Sequence, residues 1–143
     1  RRVLGGDVDT AALRSVTERD DWPRVLVLVA RPGDSAHAMI DFAGRLAGDG
    51  RVSVCTCIDD ESERRRAEAR LANLVETTTG NVETRVARSE VAAFVAANAS
   101  VYDLVLVGAS RDRSRASRLV VPPLFERLDE VAPEVDVAVV SRP

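Results

Sequence analysis

Val25-Leu26-Val27-Leu28-Val29-Ala30 is an unbroken apolar run in which valine alternates with leucine. A strand with one solvated face alternates apolar with polar residues, so an unbroken run marks a strand buried on both faces, as in a parallel sheet. Asp103-Leu104-Val105-Leu106-Val107-Gly108 repeats the pattern, and Val135 to Val140 gives a third version. Between these runs the apolar spacing changes to that of helices. Ala36, Met39, Ile40, Ala43, Leu46 and Ala47 recur at three and four residues, with Ser35 as a cap and Gly48-Asp49-Gly50 as a stop.

The same alternation runs through the rest of the chain. Val52-Ser53-Val54-Cys55-Thr56-Cys57-Ile58 reads as the second strand. Asp59-Asp60-Glu61-Ser62 opens a helix with Ala67, Leu71, Leu74 and Val75 inward. Gly80-Asn81 ends it, and Val82 to Ala87 alternates as an edge strand does. Ser89 caps a third helix carrying Val91, Phe94, Val95 and Ala99. The fourth strand ends at Gly108, and a polar stretch from Ala109 to Arg118 follows. Pro122-Pro123 starts a short fourth helix with Leu124, Phe125, Leu128 and Val131 inward. Strand, helix, strand throughout implies right-handed crossovers and a parallel sheet covered on both faces. The expected fold is α/β, a doubly wound five-stranded parallel sheet of order 3-2-1-4-5.

Residues 1–21 read as a linker in which Asp9 or Thr10 caps a short helix bearing Ala12, Leu13 and Val16. Pro23 disfavours helix at Trp22, so the domain proper is placed at residues 22–143, with Trp22 as a packing anchor. The 143 residues suffice for one domain. With 45% hydrophobic and 30% charged residues they do not suit a disordered chain. The net charge of −3 gives no global case for nucleic acid, and no apolar run reaches membrane-spanning length. All 20 basic residues are arginine. The chain opens Arg1-Arg2-Val3 and its one methionine is Met39, so it reads as a segment of something longer.

In a sheet of this order the ligand crevice lies beyond the strands' C-terminal ends, where the order reverses. Arg31-Pro32-Gly33-Asp34 and Gly108-Ala109-Ser110-Arg111 are expected to line it. Val25 to Leu46, Asp103 to Ser110 with Ser117-Arg118-Leu119, and Val137 to Pro143 together resemble universal stress protein domains. Asp21-Trp22-Pro23-Arg24-Val25-Leu26-Val27-Leu28 and Ala38-Met39-Ile40-Asp41-Phe42-Ala43 more narrowly resemble cytosolic C-terminal domains of amino-acid permeases and cation–chloride cotransporters.

The resemblance implies an adenine-nucleotide site, which this sequence alters. Nucleotide-binding universal stress proteins carry Asp at the end of the first strand. After the fourth strand they carry Gly-x-x-Gly and, further on, Gly-Ser or Gly-Thr. Here Arg31 holds the Asp position and Gly108 keeps the first glycine. Arg111 replaces the second, and Val121-Pro122 or Pro122-Pro123 stands at the last pair. Proline removes a backbone donor and arginine adds bulk where phosphate needs close approach. Arg111, Arg113, Arg115 and Arg118 either form a solvated basic loop or bind an anion by bidentate contacts. The candidate anion crevice is thus Arg31, Gly108, Ser110, Arg111, Arg113 and Arg115.

Other chemistry finds less support. Cys55 and Cys57 share a strand face and are too few for zinc, so they read as small buried hydrophobes and no metal is expected. His37 is the only histidine and has no evident nucleophile beside it, so no catalytic residue is assigned. Asp59-Asp60 reads as charge at a helix N-terminus, and Glu61–Arg65 as a surface pair.

From the transporter resemblance the expected function is a non-catalytic cytosolic regulatory domain of a membrane transporter, without cofactor and not binding ATP. The transmembrane part of the same polypeptide would be its partner. The alternative is a free-standing universal stress protein binding an adenine nucleotide or other anion. An adenylate-chemistry enzyme is a third class. A homodimer is expected through the valine-rich edge Val135–Val140, because an open apolar edge invites pairing.

Overall fold

A computed structural model of the chain describes residues 9–14, 22–29, 34–78, 80–108, 110–112, 118–120, 127–128, 130, 132 and 135–141. Strand β1 (Asp9–Arg14) is followed by β2 (Arg24–Leu28), helix α1 (Asp34–Ala47) and β3 (Arg51–Ile58). A 3-10 turn over Glu61–Glu63 leads into α2 (Arg64–Val75), then β4 (Val82–Arg88), α3 (Val91–Asn98) and β5 (Leu104–Gly108). Short strands β6 (Ser110–Asp112) and β7 (Arg118–Val120) come next, and β8 (Asp136–Ser141) is the last element described.

The main sheet has the order β1-β8-β5-β2-β3-β4. Five of its strands, β4, β3, β2, β5 and β8, are parallel and stand in the expected 3-2-1-4-5 order. At the centre Val25 stands between Val52 of β3 and Leu104 of β5. Alternate residues of these strands feed two cores. Val25, Val27, Leu104 and Leu106 pack with Ile40, Phe42, Leu71 and Leu74 of α1 and α2. Leu26, Val105, Val107 and Val137 pack with Phe94 and Val95 of α3 and with Leu128 and Ala132. Both cores explain the unbroken apolar runs, and each fully buried Val or Leu contributes about 1.5–3 kcal/mol.

One buried and one half-exposed polar pair close the N-terminal end of the central strands. Trp22 Nε1 donates to Asp136 Oδ2 at 2.8 Å, with Trp22 4% and Asp136 0% exposed. Arg24 Nε and Nη2 grip the two oxygens of Asp103 at 3.1 and 3.0 Å, while Arg24 N donates to Oδ2 at 2.9 Å. That carboxylate raises the Arg24 pKa, chiefly through the hydrogen bond. Gly50 is required beside them, because a Cβ there would lie 1.9 Å from the Pro23 carbonyl oxygen.

Several expectations are corrected. Asp9–Arg14 is a strand and not a helix, running antiparallel to β8 with an irregularity between Thr10 and Ala12. It covers the outer edge of Val137–Ser141, which includes most of the Val135–Val140 edge expected to pair with a second copy. Within this chain those backbone groups are already occupied. Helix α1 begins at Asp34, ahead of Ser35. Glu90 and not Ser89 caps α3, its carboxylate accepting from Ala93 N at 3.0 Å. Glu61 pairs with Arg64 and not with Arg65, one residue nearer than the expected spacing. Of the fourth helix, Leu128 is buried and accepts from Ala132 N at 2.9 Å. Leu124, Phe125 and Val131 lie outside the described residues.

Candidate functional site

The expected crevice belongs at the C-terminal ends of β2 and β5, where the two strands turn to different neighbours. β2 and β5 stay paired up to Leu28 and Val107. Beyond that rung Val29 turns to β3: its N–H donates to the Cys55 carbonyl at 2.9 Å and its own carbonyl accepts from Thr56 Oγ1 at 2.9 Å. β5 instead runs on to Gly108, which pairs with Val140 of β8. The chain leaves β2 towards α1 and β3 on one side and leaves β5 towards β8 on the other. A gap at this reversal is the usual place for a ligand in such sheets. α1 follows β2 here, and the first turn of a helix presents unpaired N–H groups and a positive dipole end.

Gly108 is exposed at the rim, and a Cβ on it would meet only Met39 Sδ, at 3.6 Å. That is ordinary contact, so nothing inside the fold demands a glycine. Ser110 and Arg111 lie in β6, which starts two residues after Gly108 and forms a two-stranded antiparallel ribbon with β7. Ser110 stands opposite Val120, Arg111 opposite Leu119 and Asp112 opposite Arg118. The sequence from Ala109 to Arg118 reads as a polar stretch without a strand. The apolar run Leu119-Val120-Val121, stopped by Pro122, was the available signal for a strand. In such a ribbon the ladder uses part of the backbone N–H set. Arg31, Arg113 and Arg115 lie outside the described residues, so the structure brings together the backbones of Gly108, Ser110 and Arg111 only.

The remaining candidates have structural roles. Asp60 caps the 3-10 turn, its carboxylate accepting from Ser62 N at 2.9 Å, and those bonds hold its pKa below the usual value. His37 is exposed on α1. Cys55 is buried and Cys57 half-buried on the α3 side of the sheet, as their spacing predicts. Among the described residues no group of three or more His, Cys, Asp or Glu is placed to hold a metal. A groove of about 500 Å³ runs along α1 from His37 to Gly48 and reaches Val52 and Val82, near the starts of β3 and β4. The Val52 and Val82 end of the groove is therefore at the sheet end opposite the expected crevice.

No protein-family profile matches the sequence, and no curated protein does either. Solved structures do. A universal stress protein from Archaeoglobus fulgidus superposes with a TM-score of 0.62 at 17% identity, over 82% of this chain and 98% of that one. The universal stress protein from Archaeoglobus fulgidus in complex with dAMP gives 0.58 at 15% identity, over 82% and 97%. A universal stress protein in complex with cAMP gives 0.54 at 18% identity, over 84% and 98%. The fold is that of the universal stress proteins.

This corrects the expected function. The transporter-domain reading rested on two short stretches, residues 21–28 and 38–43, whereas the universal stress protein fold spans four-fifths of the chain and its solved examples include nucleotide complexes. Trp22 serves the fold by bonding Asp136, which accounts for the Trp-Pro entry without any membrane. Among the described residues no helix is long and apolar enough to cross a bilayer.

Proposed function

We propose that this chain binds an adenine nucleotide with a short phosphate chain in the crevice between the C-terminal ends of β2 and β5. The observation that carries the reading is the likeness to universal stress proteins solved with dAMP and cAMP, combined with a switch-point gap whose rim ends in exposed, bare Gly108. Gly108 leaves the end of β5 without a side chain, and the neighbouring sequence carries the Ser110 hydroxyl and the charges of Arg31, Arg111, Arg113 and Arg115. A monophosphate fits this equipment better than a triphosphate. Arg111 stands where a phosphate loop would have glycine, and proline removes a backbone donor downstream. The nucleotide acts by shifting the population of conformations, and no residue of the crevice is assigned a chemical step.

Calorimetric titration with AMP and ATP tests this. AMP is expected to bind with Kd of about 1–100 μM, or about −8 to −5.5 kcal/mol, and ATP more weakly. Arg113→Glu with Arg115→Glu should weaken AMP by more than about 100-fold, since a hydrogen bond to a charged group contributes about 1.5–3 kcal/mol. Absence of heat with AMP at millimolar concentration refutes the proposal.

A further inference from the structure

Among the described residues β4 is the edge of the main sheet that no further strand covers: β1 runs along β8 at the other end, and β4 pairs only with β3. That single partner fixes which backbone groups face out. Val52 N donates to the Asn81 carbonyl at 3.0 Å. In a parallel ladder Asn81, Glu83, Arg85 and Ala87 then turn their backbone groups to β3, while Val82, Thr84 and Val86 turn theirs outward. Arg64 supports this independently, since its Nη1 reaches the Val86 carbonyl from α2 at 2.9 Å. The side chains divide between the two faces of the sheet. Val82 and Val86 are half-buried against the core formed with α1 and α2. Glu83 and Arg85 are exposed on the α3 face. Contacts within the chain hold them there: Glu83 accepts from Ser53 Oγ at 2.6 Å, and the Arg85 guanidinium stands 4.9 Å from the centroid of the Phe94 ring.

We propose that β4 pairs antiparallel with β4 of a second copy of this chain, about a two-fold axis that passes through Thr84 normal to the sheet. In this register Thr84 faces the partner's Thr84, Val82 faces the partner's Val86, and Glu83 faces the partner's Arg85. The outward groups of Val82, Thr84 and Val86 exchange hydrogen bonds across the axis. Glu83 and Arg85 fall in the non-hydrogen-bonded pairs, where Cα atoms are about 4.5 Å apart and side chains lie closest. Opposed residues share a face, so both Glu–Arg pairs form on the α3 side and the valines meet on the other. Moving the axis by one residue sets Glu83 against Glu83 or Arg85 against Arg85, so the charge pattern selects the register. Charge of one sign would guard the edge against pairing. Alternation of Glu83 and Arg85 instead accepts a reversed copy of itself. The Val86 carbonyl keeps a second lone pair for the incoming N–H beside its bond from Arg64.

Sedimentation equilibrium of the full chain and its variants tests the pairing. Wild type should dimerise with Kd of about 10 μM to about 1 mM, as suits a small interface. Glu83→Arg sets arginine against Arg85, and Arg85→Glu sets glutamate against Glu83, at both symmetric positions of the dimer. Each variant alone should dimerise more than about 10-fold more weakly. An equimolar mixture of the two variants restores both opposite pairs and should associate within about 3-fold of wild type. Each variant has the same fold alone and in the mixture, so recovery reads the contact and not stability. Thr84→Pro removes an outward N–H that β3 does not use and should also weaken the dimer more than about 10-fold, with circular dichroism showing that it is native. If it does not fold, the mixture decides alone. Wild type monomeric at millimolar concentration, single charge variants that pair like wild type, a mixture no better paired than its components, or an undiminished dimer in native Thr84→Pro would each overturn the proposal.

Discussion

Replacing Gly108 by alanine separates folding from ligand binding at a single atom. The new Cβ would lie 3.6 Å from Met39 Sδ, an ordinary van der Waals distance. Among the described glycines only Gly48 and Gly80 have positive φ, at 58° and 94°, so an L-side chain at Gly108 meets no backbone strain. Removing glycine also narrows the unfolded ensemble. Gly108→Ala should therefore leave stability unchanged or raise it by about 0.4–1 kcal/mol. If a nucleotide approaches the β5 rim, the methyl group occupies space the ligand needs, and AMP affinity should fall at least about 10-fold, or about 1.4 kcal/mol. Gly50→Ala is the contrasting case. Its Cβ would sit 1.9 Å from backbone at Pro23, and the loss of stability should reach about 3 kcal/mol. Urea denaturation and calorimetry on the same preparations read both quantities. Gly108→Ala that loses more than about 1 kcal/mol of stability, or that keeps full AMP affinity, would refute the reasoning.

Trp22→Phe removes the donor 2.8 Å from buried Asp136 and should cost about 2–3 kcal/mol, read from the urea midpoint; a change below about 0.5 kcal/mol would contradict the role given to that bond. Deleting residues 1–14 uncovers the β8 edge, so the shortened chain should self-associate through Val137–Ser141 while the full chain does so less, as measured by sedimentation. The carboxylates of Asp60, Glu61 and Glu90 have pKa values lowered chiefly by hydrogen bonds to Ser62, Arg64 and Ala93 respectively. Depressed carboxylates stabilise the fold above their unfolded pKa of about 4 and lose that contribution as pH falls through the folded values. Urea midpoints should thus decline from pH 5 towards pH 3, and Glu90→Gln should make the decline shallower.

The sheet was legible because burial on both faces leaves an unmistakable mark: Val25 to Val29 and Leu104 to Val107 have no room for a polar residue. Strand β4 showed its edge position through Glu83 and Arg85, both exposed. Asp9–Arg14 was misread because Ala12, Leu13 and Val16 satisfy helical spacing, and propensity gives way to the hydrogen bonds that an open β8 edge offers. At the site, the identity of the rim residues was readable, and Gly108 stands where expected. The parting of β2 from β5 was not, because it depends on Val29 bonding to Cys55 and Thr56, partners more than 20 residues away. The Trp-Pro stretch misled for a related reason. Its strongest contact is with Asp136, 114 residues on, and a local pattern carries no trace of it.

An amide-resolved NMR titration with AMP tests the nucleotide site most directly. The account predicts saturable shifts at Val29, Gly108, Ser110 and Arg111, with Gly48, Gly80 and Asn81 in the groove beside α1 unmoved. Shifts confined to that groove, or none at all at millimolar AMP, would contradict it.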